Sequence, residues 1–190
     1  MLFGLIGRKR NTDAVEALYA RILAASRAPF LYTDFAVPDT LEGRFDSLTL
    51  HAILLMRRLR TLPSPADSVS QDLVDILFRE VDRSLREIGI GDISVPKKMK
   101  IFAKTFYGRA QLFDNALNAA DDSALQEVLA RNVGRDAQNL AAFTQHVRQV
   151  DAKVANCSLD DILSEAALLP DSPITTPYTG QESVGSTTTL

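Results

Sequence analysis

Between Phe45 and Leu62 two apolar faces run along one helix-length segment, and nothing else in this 190-residue chain limits the fold so strongly. Phe45, Leu48, Ala52, Leu55, Leu59 and Leu62 recur at intervals of three and four, while Leu50, Ile53 and Leu54 line a second side. A helix that is apolar on two sides has to be surrounded by others, so this segment predicts the centre of a helical assembly. Asp39 or Thr40 can cap it, and Pro63 and Pro65 stop it. Arg57, Arg58 and Arg60 fall in its last turns, where the carbonyl end of the macrodipole favours cations.

The same period recurs on either side. Asp13 with Glu16 reads as the cap of a first helix through Val15, Leu18, Ile22 and Ala25, ended by Pro29. Phe30 to Asp39, with three aromatic residues and Pro38, reads as an extended segment pinned to the body. Ser68 with Gln71 predicts a capping box for a helix whose buried stripe is Val69, Leu73, Ile76, Leu77, Val81, Leu85 and Ile88. Ser94 or Val95 opens another, with Met99, Phe102, Phe106, Ala110, Phe113 and Leu117 inward. Asp121 or Asp122 starts a short helix ending at Gly134, followed by a longer one through Leu140, Phe143, Val147, Val150 and Val154. Ser158 and Asp161 begin a last amphipathic segment through Leu159, Ile162, Leu163 and Ala166.

No stretch alternates at period two, so the fold class is all-α: a single domain of about six or seven helices. The boundaries read as an N-terminal extension over 1–12, a helical domain over 13–169 and a disordered tail over 170–190, rich in Ser, Thr and Pro and without Lys or Arg. In MLFGLIGRKR an apolar run precedes the basic residues, the reverse of a secretory signal, and falls far short of the ~20 residues that span a bilayer. A frayed terminus and a membrane-surface contact through Leu2, Phe3, Leu5 and Ile6 with Arg8, Lys9 and Arg10 both fit it.

Composition then limits the function. A net charge of −3 argues against a surface that binds nucleic acid as a whole, and leaves any basic patch to be argued locally. A single cysteine, Cys157, forbids an intrachain disulfide and a multi-cysteine zinc site, and fits a reducing, cytoplasmic compartment. It reads as a small buried residue rather than a nucleophile. The two histidines, His51 and His146, fall on different helices without a ligand at helical spacing; His51 reads as a core histidine and His146 as surface. The GIGD sequence at Gly89 and Gly91 lacks the strand, the third glycine and the Gly-Lys ending of a phosphate loop, so turn geometry accounts for both glycines. Nothing here predicts catalysis, a metal or a cofactor.

What remains is a basic helix directly after that corner. Lys97, Lys100 and Lys104 lie at +3 and +7 on one face, which Tyr107 continues at +10 before Gly108 and Arg109. A solvated surface is the bland reading of such a run. Against it, the lysines occupy the N-terminal half of their helix, where the macrodipole disfavours cations, and Tyr107-Gly108-Arg109 has the composition of an interface anchor.

Three blocks carry a resemblance: VPDTLEGRFDSLTLHAILLMRRL (37–59), SQDLVDILFREVDRSLREIGIGDISVPKKMK (70–100) and FYGR (106–109). In this order they resemble the ubiquinol-cytochrome c chaperone family, assembly factors for the cytochrome b subunit of respiratory complex III, across about residues 13 to 150. Mitochondrial members carry a targeting extension not seen here, so the resemblance points to a bacterial-type member. It implies a non-catalytic chaperone with cytochrome b as client, a small assembly partner and peripheral contact with the cytoplasmic face of the inner membrane. On this reading Lys97, Lys100, Lys104, Tyr107 and Arg109 contact the client or partner, with Arg44 and Asp46 holding the adjoining segment and an apolar groove near Phe30 to Phe35. The rival readings are a membrane-surface helical scaffold that contacts lipid through residues 1–10 and the lysine stripe, and a haem- or quinone-handling protein resting on His51 alone.

Overall fold

In the computed structural model the three-four periodicity becomes eight helices and no strand among the described residues, which are 3–133, 137–164, 169–170 and 172–173, with the side chains of 3–11 and 137–138 excepted. They are α1 (Phe3–Ala25), α2 (Pro29–Thr33), α3 (Leu41–Leu59), α4 (Ala66–Glu87), α5 (Val95–Asn118), α6 (Ser123–Asn132), α7 (Ala137–Ala155) and α8 (Leu159–Leu163). Six run to ten residues or more and two are single turns of five, so the class expected from the sequence is the class observed.

The helix with two apolar faces is α3, and twelve of its nineteen residues are buried. It packs against α1, α4, α5 and α7, the position that its patterning requires. Thr40 is its cap, accepting a hydrogen bond from the Gly43 N–H at 3.1 Å. Around it α1 lies on α4 and α8, α5 on α4 and α6, and α6 on α7. One contiguous core joins Leu18, Ile22, Leu55, Leu59, Leu73, Phe106, Phe113 and Phe143.

Several local expectations are corrected. The first helix starts at Phe3 rather than at Asp13, which lies inside it: a capping pair starts a helix only where the preceding residues break one, and no proline stands between 3 and 13. It ends at Ala25, and Pro29 starts α2 instead of closing α1, so the first part of the Phe30–Asp39 segment is helical and not extended. The segment is pinned down as expected, with Phe30, Leu31, Phe35 and Val37 buried. Between the last two of these Ala36 takes φ +53, a left-handed conformation held by burial on both sides. The next helix starts at Ala66, two residues before Ser68, because the Pro65 carbonyl already accepts the Val69 N–H at 3.2 Å and no side chain caps it. Ile88, expected in the buried stripe of α4, is more than half exposed.

The later elements follow the sequence more closely. Asp121 accepts the Ser123 N–H at 2.9 Å at the start of α6, and Ser158 with Asp161 forms the reciprocal capping box of α8. Gly134, Ala166 and the region 174–190 lie outside the described residues. Arg148 on α7 closes the turn between α5 and α6: it pairs with Asp122 and donates to the carbonyls of Leu117, Ala119 and Asp121.

Candidate functional site

The corner before the basic helix is built from backbone. Ile90 N–H donates to the Leu85 carbonyl and Gly89 N–H to the Arg86 carbonyl, both at 3.0 Å, with Gly89 at φ +86. This pair of bonds is the Schellman ending, and its left-handed position favours glycine. Gly91 has no such need: its φ is ordinary and a Cβ there would meet nothing. Its carbonyl accepts from Ser94 and Val95, at 2.8 and 3.3 Å, which starts the first turn of α5.

From that corner α5 is fixed by aromatic packing. Phe102 meets Phe45 at 4.9 Å and Phe78 at 4.8 Å between ring centroids, and Phe106 lies edge-on to Phe78 at 5.8 Å. With that face inward, Lys97, Lys98, Lys100 and Lys104 are exposed. Among the described residues none of the four ammonium groups has an ion pair or hydrogen bond. Tyr107 leans on Phe78 and Phe106 and leaves about half of itself, 53%, in solvent beside the open backbone of Gly108. The face therefore offers mobile cations, one half-supported phenol and a bare patch of helix.

Arg109 does not belong to it. At +12 from Lys97 it stands roughly 120° round the helix, on the side of Lys98 and away from Lys100, Lys104 and Tyr107. Its guanidinium pairs with Asp46 and donates to Asn132 at 3.2 Å, with only 18% of the side chain exposed. Asp46 and Arg109 thus join α3, α5 and α6. Arg44 pairs with Asp39 at 2.6 Å at the surface, and this bond holds the Asp39 carboxyl below its ordinary range. Beneath that pair Gly43 is obligatory: an added Cβ would lie 2.0 Å from the Pro38 carbonyl oxygen. Hence Arg44, Asp46 and Arg109 brace the frame, whereas Lys97, Lys100, Lys104 and Tyr107 face outward.

The groove expected near Phe30 to Phe35 is filled by the segment itself. Phe35 stacks on Phe143 at 5.0 Å, and His146 lies 5.2 and 5.1 Å from Phe30 and Phe35. His146 is therefore buried rather than at the surface, on the same inward face of α7 as Phe143, and that spacing of three is its available signal. Burial, and next the nearby His51, push its pKa down to about 4. His51 is buried as expected, its Nδ1 2.8 Å from the Ser47 carbonyl, and burial lowers its pKa also. Cys157 is half-buried against the core, its thiol donating to the Lys153 carbonyl at 3.4 Å.

A second cationic cluster lies at the other end of α3. Arg57 reaches Asp114 at 3.2 Å, Asp151 at 3.1 Å and Asn118 at 2.7 Å, and Arg60 also pairs with Asp114. Arg58 donates to the Cys157 carbonyl at 2.9 Å. These groups line a cleft of about 430 Å³ with Thr61 and Ala155, but its guanidinium groups are already engaged. The helix end accounts for the presence of these arginines in the sequence but not for their partners, because Asp114 and Asp151 are 57 and 94 residues away and no spacing announces them. Among the described residues no cluster of three His, Cys, Asp or Glu side chains is placed to hold a metal, and no helix is long and apolar enough to cross a membrane.

Comparison with known proteins agrees with this architecture. The crystal structure of the Cbp3 homolog from Brucella abortus matches it with a TM-score of 0.75 and 35% identity, over 86% of this chain and 93% of that one. No curated protein matches the chain. The family model described as Ubiquinol-cytochrome C chaperone matches residues 33–169, which include α3, the Gly89 corner and all of α5. By that match and that shared fold, the chain belongs to the ubiquinol-cytochrome C chaperone family.

Proposed function

We propose that this protein is a chaperone for cytochrome b during assembly of ubiquinol-cytochrome c reductase, acting by binding and release without turnover. The observation that carries the reading is the unpaired lysine face of α5, set at a fixed angle by the Gly89 ending, in a chain of that chaperone family. Such a face suits a client presenting acidic or carbonyl-rich segments, since exposed cations raise the encounter rate and set register while adding little rigidity. Lys97, Lys100, Lys104 and Tyr107 make the contact, and Arg44, Asp46 and Arg109 hold the elements that present it.

Cytochrome b is a membrane protein, so the complex forms at the cytoplasmic face of the inner membrane, with a small assembly factor as a further partner. Replacing Lys97, Lys100 and Lys104 together by glutamate should lower co-purification of cytochrome b by about tenfold or more, on the order expected for three reversed contacts. Far-ultraviolet circular dichroism should be unchanged, because all three are exposed. Undiminished capture by the triple variant would rule out this face as the client contact. The haem-handling reading has no support in the geometry, since His51 and His146 are both buried in the core.

A further inference from the structure

Five of the six large apolar side chains exposed among the described residues fall between Ile88 and Leu112, the stretch that holds the four unpaired lysines. Ile93 is the extreme case. At 96% exposure it projects from the corner almost as freely as in an extended peptide, with Ile88 at 55% before it and Ile101 at 58% two turns beyond. Single apolar side chains are commonly exposed, but three within fourteen residues, interleaved with Lys97, Lys98 and Lys100, form a pattern. The carboxylates nearby do not cancel it, because Asp92 pairs with Arg86 and Glu87 with Arg83. The chain as a whole is at −3, so with four lysines here the remainder carries −7, and one end of an acidic molecule is basic.

We propose that this end, the Ile88–Ile93 corner with the first turns of α5, seats on an anionic phospholipid surface. A convex apolar tip fits a fluid interface, which closes around any protrusion, better than a protein partner, which would need a matching pocket. Lysines whose ammonium groups are unpaired can extend to phosphates while their stems lie along the acyl boundary. The contact involves side chains distinct from residues 1–12 and does not depend on the client reading, because it requires no protein on the membrane. It shares Lys97 with the client face proposed above, while Ile93 and Lys98 serve the lipid alone, and it orients the molecule so that Lys100, Lys104 and Tyr107, further along the helix, stand beside whatever the membrane presents.

The test is flotation of the full chain with vesicles of phosphatidylcholine alone and with vesicles in which part of it is replaced by phosphatidylglycerol. The chain should float with the second and not with the first, and less at raised salt. Ile93→Ser, and separately the pair Lys97→Gln with Lys98→Gln, should each lower the floated fraction by about tenfold. Equal flotation of wild type and both variants, or equal flotation on the two vesicle types, overturns the proposal. So does a lysine pair variant that floats like wild type but fails to capture cytochrome b, which would give the corner to a protein. A wild-type chain that captures cytochrome b yet stays with neither vesicle removes the lipid contact and leaves the client reading standing.

Discussion

Two helix ends in this molecule are crowded with cations and treat them in opposite ways. At the C-terminal end of α3, Arg57, Arg58 and Arg60 are bonded to Asp114, Asp151, Asn118 and a backbone carbonyl. Along the N-terminal half of α5, four lysines are exposed and unpaired, and the macrodipole opposes the first two, Lys97 and Lys98. The arginines are where helix stability and tertiary bonding both want positive charge; the lysines satisfy neither. Chemistry follows the same division, because a planar guanidinium holds several acceptors in fixed directions, while a lysine on a flexible stem serves a partner that comes and goes. Charge that stabilises the fold and charge that serves an encounter can therefore be told apart in one chain by their partners.

The contrast is most sharply broken by Arg57→Ala. It leaves Asp114 with only Arg60 and Asp151 without an ion-pair partner, and should cost about 2–4 kcal/mol in denaturant unfolding, on the scale of breaking a partly buried pair. A loss under ~1 kcal/mol would reduce that cluster to surface decoration. Next comes Gly43→Ala, which drives a methyl into the Pro38 carbonyl and should cost about 1–3 kcal/mol, read from the same unfolding curves. It tests whether the corner before α3 is as rigid as the arginine end.

Acid probes the interior. His146, with its pKa pushed down to about 4, is neutral in the fold, while an unfolded histidine takes a proton near ~6.5. The stabilisation is complete above about pH 6.5 and is lost as pH falls toward about 4, because the unfolded chain binds the extra proton. Its size is about 3 kcal/mol across that window, and His146→Phe should flatten the slope measured by thermal unfolding at successive pH values, leaving the part that the buried His51 contributes. An unchanged slope would mean that the ring takes its proton at the same pH in the folded and the unfolded chain. The smallest effect sharpens the comparison most: Lys97→Glu, in the first turn of α5, should raise stability by roughly 0.3–0.5 kcal/mol through the macrodipole while weakening cytochrome b capture. If it instead lowers stability, the lysine has a structural role and the division between the two ends fails.

The same division separates what is legible in the sequence from what is not. The central helix, the inward face of α5, the Gly89 ending, the Thr40 cap of α3 and the capping box of α8 differ in detail but share one property: each is encoded within a few residues, by period or by cap. The start of α1 is not legible, because Asp13 and Glu16 form a capping pattern inside a helix that is already running. The burial of His146 is announced only by its spacing of three from Phe143, and a polar side chain at such a position does not say that Phe30 and Phe35 cover it. Adjacency groups Arg109 with Tyr107, although neighbours in sequence stand about 100° apart on a helix and two positions move it further from the lysines. Of the candidate face, then, the lysines and Tyr107 follow from helical spacing. Bonds between distant helices do not, since acceptor and donor share no local pattern.

The turn that Arg148 closes has a consequence for how the molecule opens. Its guanidinium ties three carbonyls and a carboxylate between α5 and α6 to α7, so that turn cannot loosen unless α7 moves with it. The Gly89 corner at the opposite end of α5 is closed by its own backbone bonds, one exposed pair, Arg86 with Asp92, and the buried Val95, none of which reaches α7. In amide exchange the two ends of one helix should accordingly belong to different cooperative units, the far end protected to near the global limit and the lysine end exchanging through small local openings. The lysine end thus keeps its angle through the Gly89 ending and the buried Val95 but can open without disturbing α7, and it is there that Ile93 and the first lysines stand.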